Sequence, residues 1–289
     1  MHFVEVKNIL TGANNGMNVY RGCVHGCVYC DTRSNCYGFT HALEDVEVKQ
    51  NAVELLDNTL KYKKQRCMIG TGSMADPYQP CEKGLLITRK CLEVILKRGF
   101  GATMITKSDL VLRDLDLLKE INHRSKCVVQ ITLTCTDDVL SKKIEPNVCT
   151  TNERIKVLEI LKQNNIPAVV WLSPILPFIT DTKENIKNIL EACVSTNVKG
   201  IVCFGMGMTL RKGNREYFYD FLDKFYPPLK QKYINTFRED YQLSSPNNKE
   251  LMTMYYEVCD KHNIISHPND VFNYLKDFPK REKQLELMF

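Results

Sequence analysis

No apolar run in the 289-residue chain reaches the ~18 to 20 residues that a membrane span requires, and no charged-then-apolar leader opens it. A soluble, cytoplasmic protein is therefore expected. No arginine-rich arm or lysine block stands out, and a net charge of +5 permits an anionic substrate such as nucleic acid without arguing for one. The densest basic stretch, residues 61–66, reads as the solvated end of a helix. Internal repeats are absent, which excludes a solenoid, and there is no low-complexity tract. The thirteen cysteines are odd in number, in a chain too long to need the disulfide framework of a small secreted domain. Disulfides are not expected, and a reducing interior is. The chain also lacks a second Cys-x-x-Cys pair and any His-x-x-x-His pair, so a zinc site built from two short pairs has no second half.

What remains is the run Arg21-Gly-Cys-Val-His-Gly-Cys-Val-Tyr-Cys-Asp31, which brings Cys23, Cys27 and Cys30 together as metal ligands. Soft thiolates select zinc, Cu(I) or an iron–sulfur cluster. For a closed zinc site the nearest fourth ligands are Cys36 and His25. A [4Fe–4S] cluster on three cysteines needs no fourth protein ligand and leaves one iron free to bind a small molecule.

The CxxxCxxC spacing with Tyr29 before the last cysteine resembles the signature of radical S-adenosylmethionine (SAM) enzymes. Further segments resemble the spore photoproduct lyase-like (DNA repair photolyase-like) branch of that superfamily: Gly70-Thr-Gly-Ser-Met-Ala-Asp-Pro-Tyr-Gln-Pro80, Thr106-Lys-Ser108, Leu112-Arg-Asp114, Glu145-Pro146 and Ser173-Pro-Ile-Leu-Pro177. The resemblance covers nearly the whole chain. It implies a [4Fe–4S] cluster whose free iron binds the amine and carboxylate of SAM. It also implies reductive SAM cleavage to a 5′-deoxyadenosyl radical that abstracts hydrogen from a substrate, and a flavodoxin or ferredoxin-type reductant.

Short apolar runs alternate with helical periods, the sequence form of a parallel sheet covered by helices. Strands are expected at 18–22, 67–71, 102–106, 128–133, 168–172 and 201–204, and helices at 48–64, 88–98, 113–121, 151–164, 183–196 and 214–226. Thr150 with Glu153 and Asp181 with Glu184 read as helix starts. Six units are too few for a closed eight-stranded barrel. The expected fold is α/β, an open partial (βα)6 TIM-type barrel over residues 1–205 with a C-terminal helical extension or cap over 206–289. In that extension 244–248 reads as a linker, 249–262 as a last helix and 276–289 as a charged end that frays. Its interleaved aromatics, among them Tyr217, Phe218, Phe221, Tyr233 and Phe237, are expected to bury on the barrel more than to stack nucleobases.

In βα barrels chemistry gathers at the carboxyl edge of the strands, and each resembling segment falls there. By the resemblance, Gly72, Ser73 and Asp76 meet the SAM amine, Thr106 and Lys107 its carboxylate, and Thr132 and Thr134 its ribose or methionine end, with Tyr29 and Pro174 near the adenine. Taken alone, Gly70 to Ser73 is a turn, Lys107 a surface lysine, and Glu145-Pro146 a stop before the next helix. Cys67, Cys127, Cys193 and Cys203 read as small core residues. One departure bears on function. Ser73 stands where spore photoproduct lyase carries its hydrogen-donating cysteine, and a serine O–H is too strong for that role. Cys135, Cys81 and Cys36 are the candidate donors instead, and thymine-dimer repair is not inherited. Substrate alternatives are a peptide or a small metabolite, and a non-catalytic zinc or iron–sulfur nucleic-acid-binding protein is the reading of another class.

Overall fold

The computed structural model describes residues 1–12 and 15–279, so most of the C-terminal stretch expected to fray lies outside the described residues. The chain opens with β1 (His2–Val4), β2 (Gly16–Met17) and β3 (Tyr20–Arg21), passes through the cysteine loop, and returns as β4 (Glu47–Lys49). There follow α1 (Ala52–Tyr62), β5 (Met68–Thr71), a short α2 (Glu82–Leu85), α3 (Ile87–Arg98), β6 (Gly101–Thr106) and α4 (Leu115–Arg124). Next come β7 (Cys127–Thr132), α5 (Asp138–Ile144), α6 (Thr151–Gln163), β8 (Ala168–Trp171), α7 (Lys183–Ser195) and β9 (Gly200–Val202). The remainder is β10 (Gly207–Thr209), α8 (Asn214–Phe225), α9 (Pro227–Phe237), β11 (Gln242–Ser244), α10 (Asn248–Lys261) and α11 (Pro268–Lys276).

Six strands pair in the order β2-β5-β6-β7-β8-β9, all parallel, which is the expected open partial barrel. Alternation along β7 shows how the sequence builds it. Cys127, Val129 and Ile131 face the outer helices, whose buried stripes supply Leu92, Ile95, Leu158, Ile186 and Leu190, while Val128 faces the concave side. That side is filled at depth by α11, whose Val271 and Leu275 pack on Met68, Val128, Val169 and Val202. The single tryptophan, Trp171, lies beside Phe272 of the same helix, with ring centroids 6.1 Å apart. The free edge of β9 is covered by the chain after α10, since Ile201 donates to the Ile265 carbonyl at 2.9 Å and Ile265 to that of Lys199 at 3.1 Å.

Four local differences from expectation follow, and the first three have physical causes. The strand expected at 18–22 is not the barrel strand, which lies just before it. Gly16 and Met17 join the barrel, whereas Tyr20 and Arg21 pair with β4 in a separate β1-β4-β3 sheet because Lys49 donates to the Val19 carbonyl and draws the chain aside. The helix expected from residue 48 starts at Ala52, since Val48 is fully buried in β4. Thr150 and Glu153 do form a reciprocal capping box, but α7 is capped by Thr182, which accepts from the Asn185 amide at 3.2 Å. Asp181 turns inward to take the Ser245 hydroxyl. Residue 244, expected in a linker, ends β11.

Leu275→Ala removes a nearly buried side chain from the α11 plug and is expected to lower unfolding free energy by about 2–5 kcal/mol. Denaturation followed through Trp171 emission measures this, and a loss below about 1 kcal/mol would show that α11 does not fill the barrel.

Candidate active site at the carboxyl edge of the sheet

Residues 22–30 form no regular helix or strand, so their backbone polar groups need partners from elsewhere. The Cys23 amide donates to the Leu43 carbonyl at 2.8 Å. Gln79, fully buried, accepts from the Val24 amide and donates to the Gly22 carbonyl, both at 3.3 Å. On the far side the Val28 amide donates to Ile144 at 3.0 Å, the Asn147 amide to His25 at 3.2 Å, and the Asn147 side chain to the Val24 carbonyl at 2.8 Å. Gly22 adopts φ 91°, and a Cβ there would lie 2.5 Å from the Leu43 oxygen, so only glycine lets the loop enter.

The loop presents Cys27 buried and Cys23 and Cys30 partly buried. Burial, with the nearby Asp76 carboxylate and Cys30, pushes the Cys23 thiol up to about 12. Burial raises Cys27 as well, with Lys107 opposing and Glu145, Cys30 and Cys23 adding. Such a pocket disfavours bare thiolates and suits thiolates bound to a cation. Among the described residues, the one set of three metal-type ligand atoms lying within 4.8 Å of one another belongs to His2, His41 and Glu47. Three soft thiol donors on one loop at the strand ends, with no fourth cysteine in residues 22–30, fit a [4Fe–4S] cluster that leaves one iron free.

Tyr29 is fixed from behind. Its hydroxyl donates to Glu145, which pairs with Arg154, and both charged residues are fully buried. Arg154 also donates to the Thr132 carbonyl at 2.8 Å and to Cys149 and Ser141 at 3.3 Å. Burial raises the Tyr29 phenol well above its usual range, so it stays a donor. The Lys107 ammonium stands 5.8 Å from the centre of the Tyr29 ring. Burial works against its charge, but Cys27, Glu145 and Asp76 outweigh this and leave its pKa above that of an ordinary lysine.

The segments expected around SAM all sit at carboxyl ends of strands: Gly72 to Asp76 after β5, Thr106 and Lys107 at β6, Thr132 and Thr134 at β7, and Ser173-Pro174, joined by a cis peptide, after β8. Gly72 has φ 96°, and a Cβ would lie 2.2 Å from the Ile105 oxygen. Ser73 is exposed. Asp76 is committed, accepting from the Tyr78 amide at 2.8 Å, the Thr106 hydroxyl at 2.7 Å and the Lys107 amide at 2.8 Å. Asp76 and Thr106 thus strap the β5 loop to the end of β6 and orient Lys107. Thr134 lies 3.4 Å from the Glu145 carboxylate.

The three candidate thiols separate. Cys135 is buried in the same apolar cluster as Cys27 and Tyr29, donates to the Asp137 carbonyl at 3.5 Å, and is pushed by burial up to about 11. Cys36 is exposed beside the loop and accepts from Arg211 at 3.3 Å. Cys81 packs against the outer core. Gln79 and Arg154 are supporting residues that sequence reasoning missed. Arg154 had a signal, because it falls on the buried stripe of α6 with Thr151, Val157, Leu158 and Leu161.

Arg154→Leu strands the Glu145 charge and is expected to cost about 3–5 kcal/mol of stability, while Arg154→Leu with Glu145→Gln recovers a large part of it. Chemical denaturation of both variants measures this. Equal loss in the two would show that the pair does not act as a unit.

The Radical SAM superfamily model matches residues 17–193. Among curated relatives, an uncharacterized protein of Methanocaldococcus jannaschii is 36% identical over 176 residues, covering 60% of this chain and 65% of that protein. An uncharacterized protein of Mycobacterium bovis is 26% identical over 247 residues, covering 82% of this chain and 70% of that protein. Among solved structures, a spore photoproduct lyase mutant superposes with a TM-score of 0.64 at 12% identity, over 92% of this chain and 78% of that one. Another spore photoproduct lyase mutant, with bound AdoMet and dinucleoside spore photoproduct, gives 0.60 at 11% identity, over 86% and 74%. At these identities the superpositions establish the shared fold. The matched family segment spans well over half of the chain, and with it the chain belongs to the radical SAM superfamily, enzymes that use a [4Fe–4S] cluster and SAM and depend on a reductant.

Proposed function

We propose that Cys23, Cys27 and Cys30 hold the [4Fe–4S] cluster and that SAM lies along the carboxyl edge from β5 to β8, with nucleic acid as the substrate class. The observation that carries the reading is the loop: three soft thiol donors on a glycine-hinged turn at the carboxyl edge, with no fourth cysteine among residues 22–30. When bound, the cluster and SAM supply reductive cleavage to a 5′-deoxyadenosyl radical that takes hydrogen from the substrate. The chain's own residues bind, orient and exclude water. Lys107, held by its amide on Asp76, offers an ammonium to the SAM carboxylate, and Ser73 an exposed hydroxyl to the amine. Tyr29, fixed by Glu145, gives the adenine side a rigid wall. Leu176, Met208 and Phe218 close the loop's rear against water.

The substrate class rests on a cleft of about 550 Å³ that carries Arg211, Lys212 and Arg215 against Glu216 and Glu239. Arg211 lies 3.4 Å from Asp31, the residue after Cys30, so the cleft adjoins the cysteine loop, and its arginine and lysine side chains are the donors that a phosphate would meet. Of the three candidate donors to a substrate radical, Cys135 is the one that shares a core with Cys27 and Tyr29. A flavodoxin or ferredoxin-type protein is the proposed reductant.

Anaerobic reconstitution with iron and sulfide, followed by dithionite and SAM, is expected to yield 5′-deoxyadenosine from the wild type and none from Cys27→Ala, which loses cluster iron. Lys107→Ala is expected to keep its iron and bind SAM about tenfold or more weakly, as loss of a charged hydrogen bond predicts. Full iron in Cys27→Ala would overturn the ligand assignment. Intact SAM cleavage without DNA or RNA binding at moderate salt would move the substrate to a peptide or small metabolite.

A further inference from the structure

A second ligand-bearing cluster lies on the N-terminal three-stranded sheet and takes no part in the site above. His2 of β1 and Glu47 of β4 are direct partners in the parallel ladder, and Glu47 is in turn the partner of Arg21 on β3. His41 comes from the following loop, its ring 5.2 Å from that of His2 and at right angles to it. One ring nitrogen from each histidine and a carboxylate oxygen of Glu47 lie within 4.8 Å of one another.

The contacts around the rings matter more than the spacing. His2 Nδ1 lies 3.2 Å from the Asp45 carboxylate, which also meets the N-terminal amine at 2.7 Å, and His41 Nδ1 faces the Ala42 carbonyl at 2.9 Å. Each ring thus has an oxygen to take its Nδ1 hydrogen, the arrangement that orients metal-binding imidazoles and leaves Nε2 with its lone pair. For His41 that nitrogen faces Glu47 Oε1 at 3.0 Å. A neutral ring has one hydrogen and serves only one of these two oxygens, whereas a second proton or a metal ion on Nε2 satisfies both. Arg21 touches the same Oε1 at 2.8 Å, while Oε2 makes no hydrogen bond among the described residues.

We propose that His2, His41 and Glu47 bind one borderline divalent transition-metal ion, of the zinc class, with Asp45 orienting His2 and the fourth position open to water. Two imidazoles and a carboxylate are a donor set that zinc accepts. Its bonds of about 2.0–2.1 Å put ligand atoms about 3.3 Å apart, so closure asks only a modest shift of the side chains, of which His2 is 43% exposed. The ion ties β1 and the loop carrying His41 to β4, whose other neighbour β3 ends two residues before Cys23. The ion would thus sit at the entrance to the cysteine loop.

The test uses cluster-loaded protein under argon, so that the loop thiols are occupied, with zinc added by isothermal titration. The expected result is one zinc per chain, bound at least tenfold more weakly by His41→Ala and by Glu47→Gln, with iron and sulfide content unchanged and far-UV circular dichroism as in the wild type. His41→Gln, which keeps a polar side chain, is expected to match His41→Ala. X-ray absorption at the zinc edge is expected to show only nitrogen and oxygen neighbours. No zinc uptake, uptake unaffected by the His41 variants, or sulfur in the zinc shell would each overturn the proposal.

Discussion

The site depends on holding three thiols in place on a loop that has no secondary structure of its own. A nine-residue stretch without regular structure has no internal ladder to fix it, so its geometry is whatever its neighbours impose. Those neighbours are Leu43, Gln79, Ile144, Asn147 and, through its side-chain amide on the Tyr29 carbonyl, Asn214. The buried Glu145 and Arg154 pair anchors the far side, because Glu145 follows directly on Ile144 and receives the Tyr29 hydroxyl. A buried ion pair gives little net stability over apolar packing. What this one supplies is direction, since both ends are tied to named atoms of the loop, of α6 and of the β7 terminus.

A second ionic network does comparable work on the outer face. Glu82 and Asp114, both fully buried, are bridged by Arg113, which reaches Glu82 at 2.9 Å and Asp114 at 2.7 Å, and Arg89 adds a bond to Asp114 at 2.9 Å. Glu82 also receives the Tyr20 hydroxyl, two residues before Gly22. The Leu112-Arg-Asp114 segment is therefore scaffold, fastening α2, α3 and the turn before α4 to the strand that delivers the cysteine loop. Charge is arranged differently inside. There Lys107 is the cation beside the thiols, and Cys27, Glu145 and Asp76 outweigh its burial and hold its pKa up.

The layered fold was legible because strand and helix periods differ, and β5 to β9 lie where alternation and apolar runs placed them. The division of β2 from β3 was not legible, because Tyr20 and Arg21 look like a continuation of Gly16 and Met17 until β4 is present to compete for them. Residue 48 was drawn into a helix for the same reason. The cysteine spacing and the strand-edge segments could be read locally. The work of Asp76 could not, because its partners lie at positions 25, 78, 106 and 107, and a carboxylate turned to backbone amides has the same sequence signature as one turned to a ligand.

This contrast explains why a compact motif needs nearly a whole chain around it. Cys23, Cys27 and Cys30 are adjacent in sequence, yet the atoms that set their backbone come from residues 43 to 214, so the loop acquires its shape only after β5, α5, α6 and α8 have docked. Ordering it earlier carries the full conformational entropy of about 1–2 kcal/mol per residue with no partners to offset it. A metal cluster entering a partly folded chain has to supply that ordering itself, whereas one entering the docked fold meets thiols already positioned. The buried supports at Gln79, Glu145 and Arg154 therefore shift the ordering cost onto folding, and leave the binding energy of the cofactor for holding it in place.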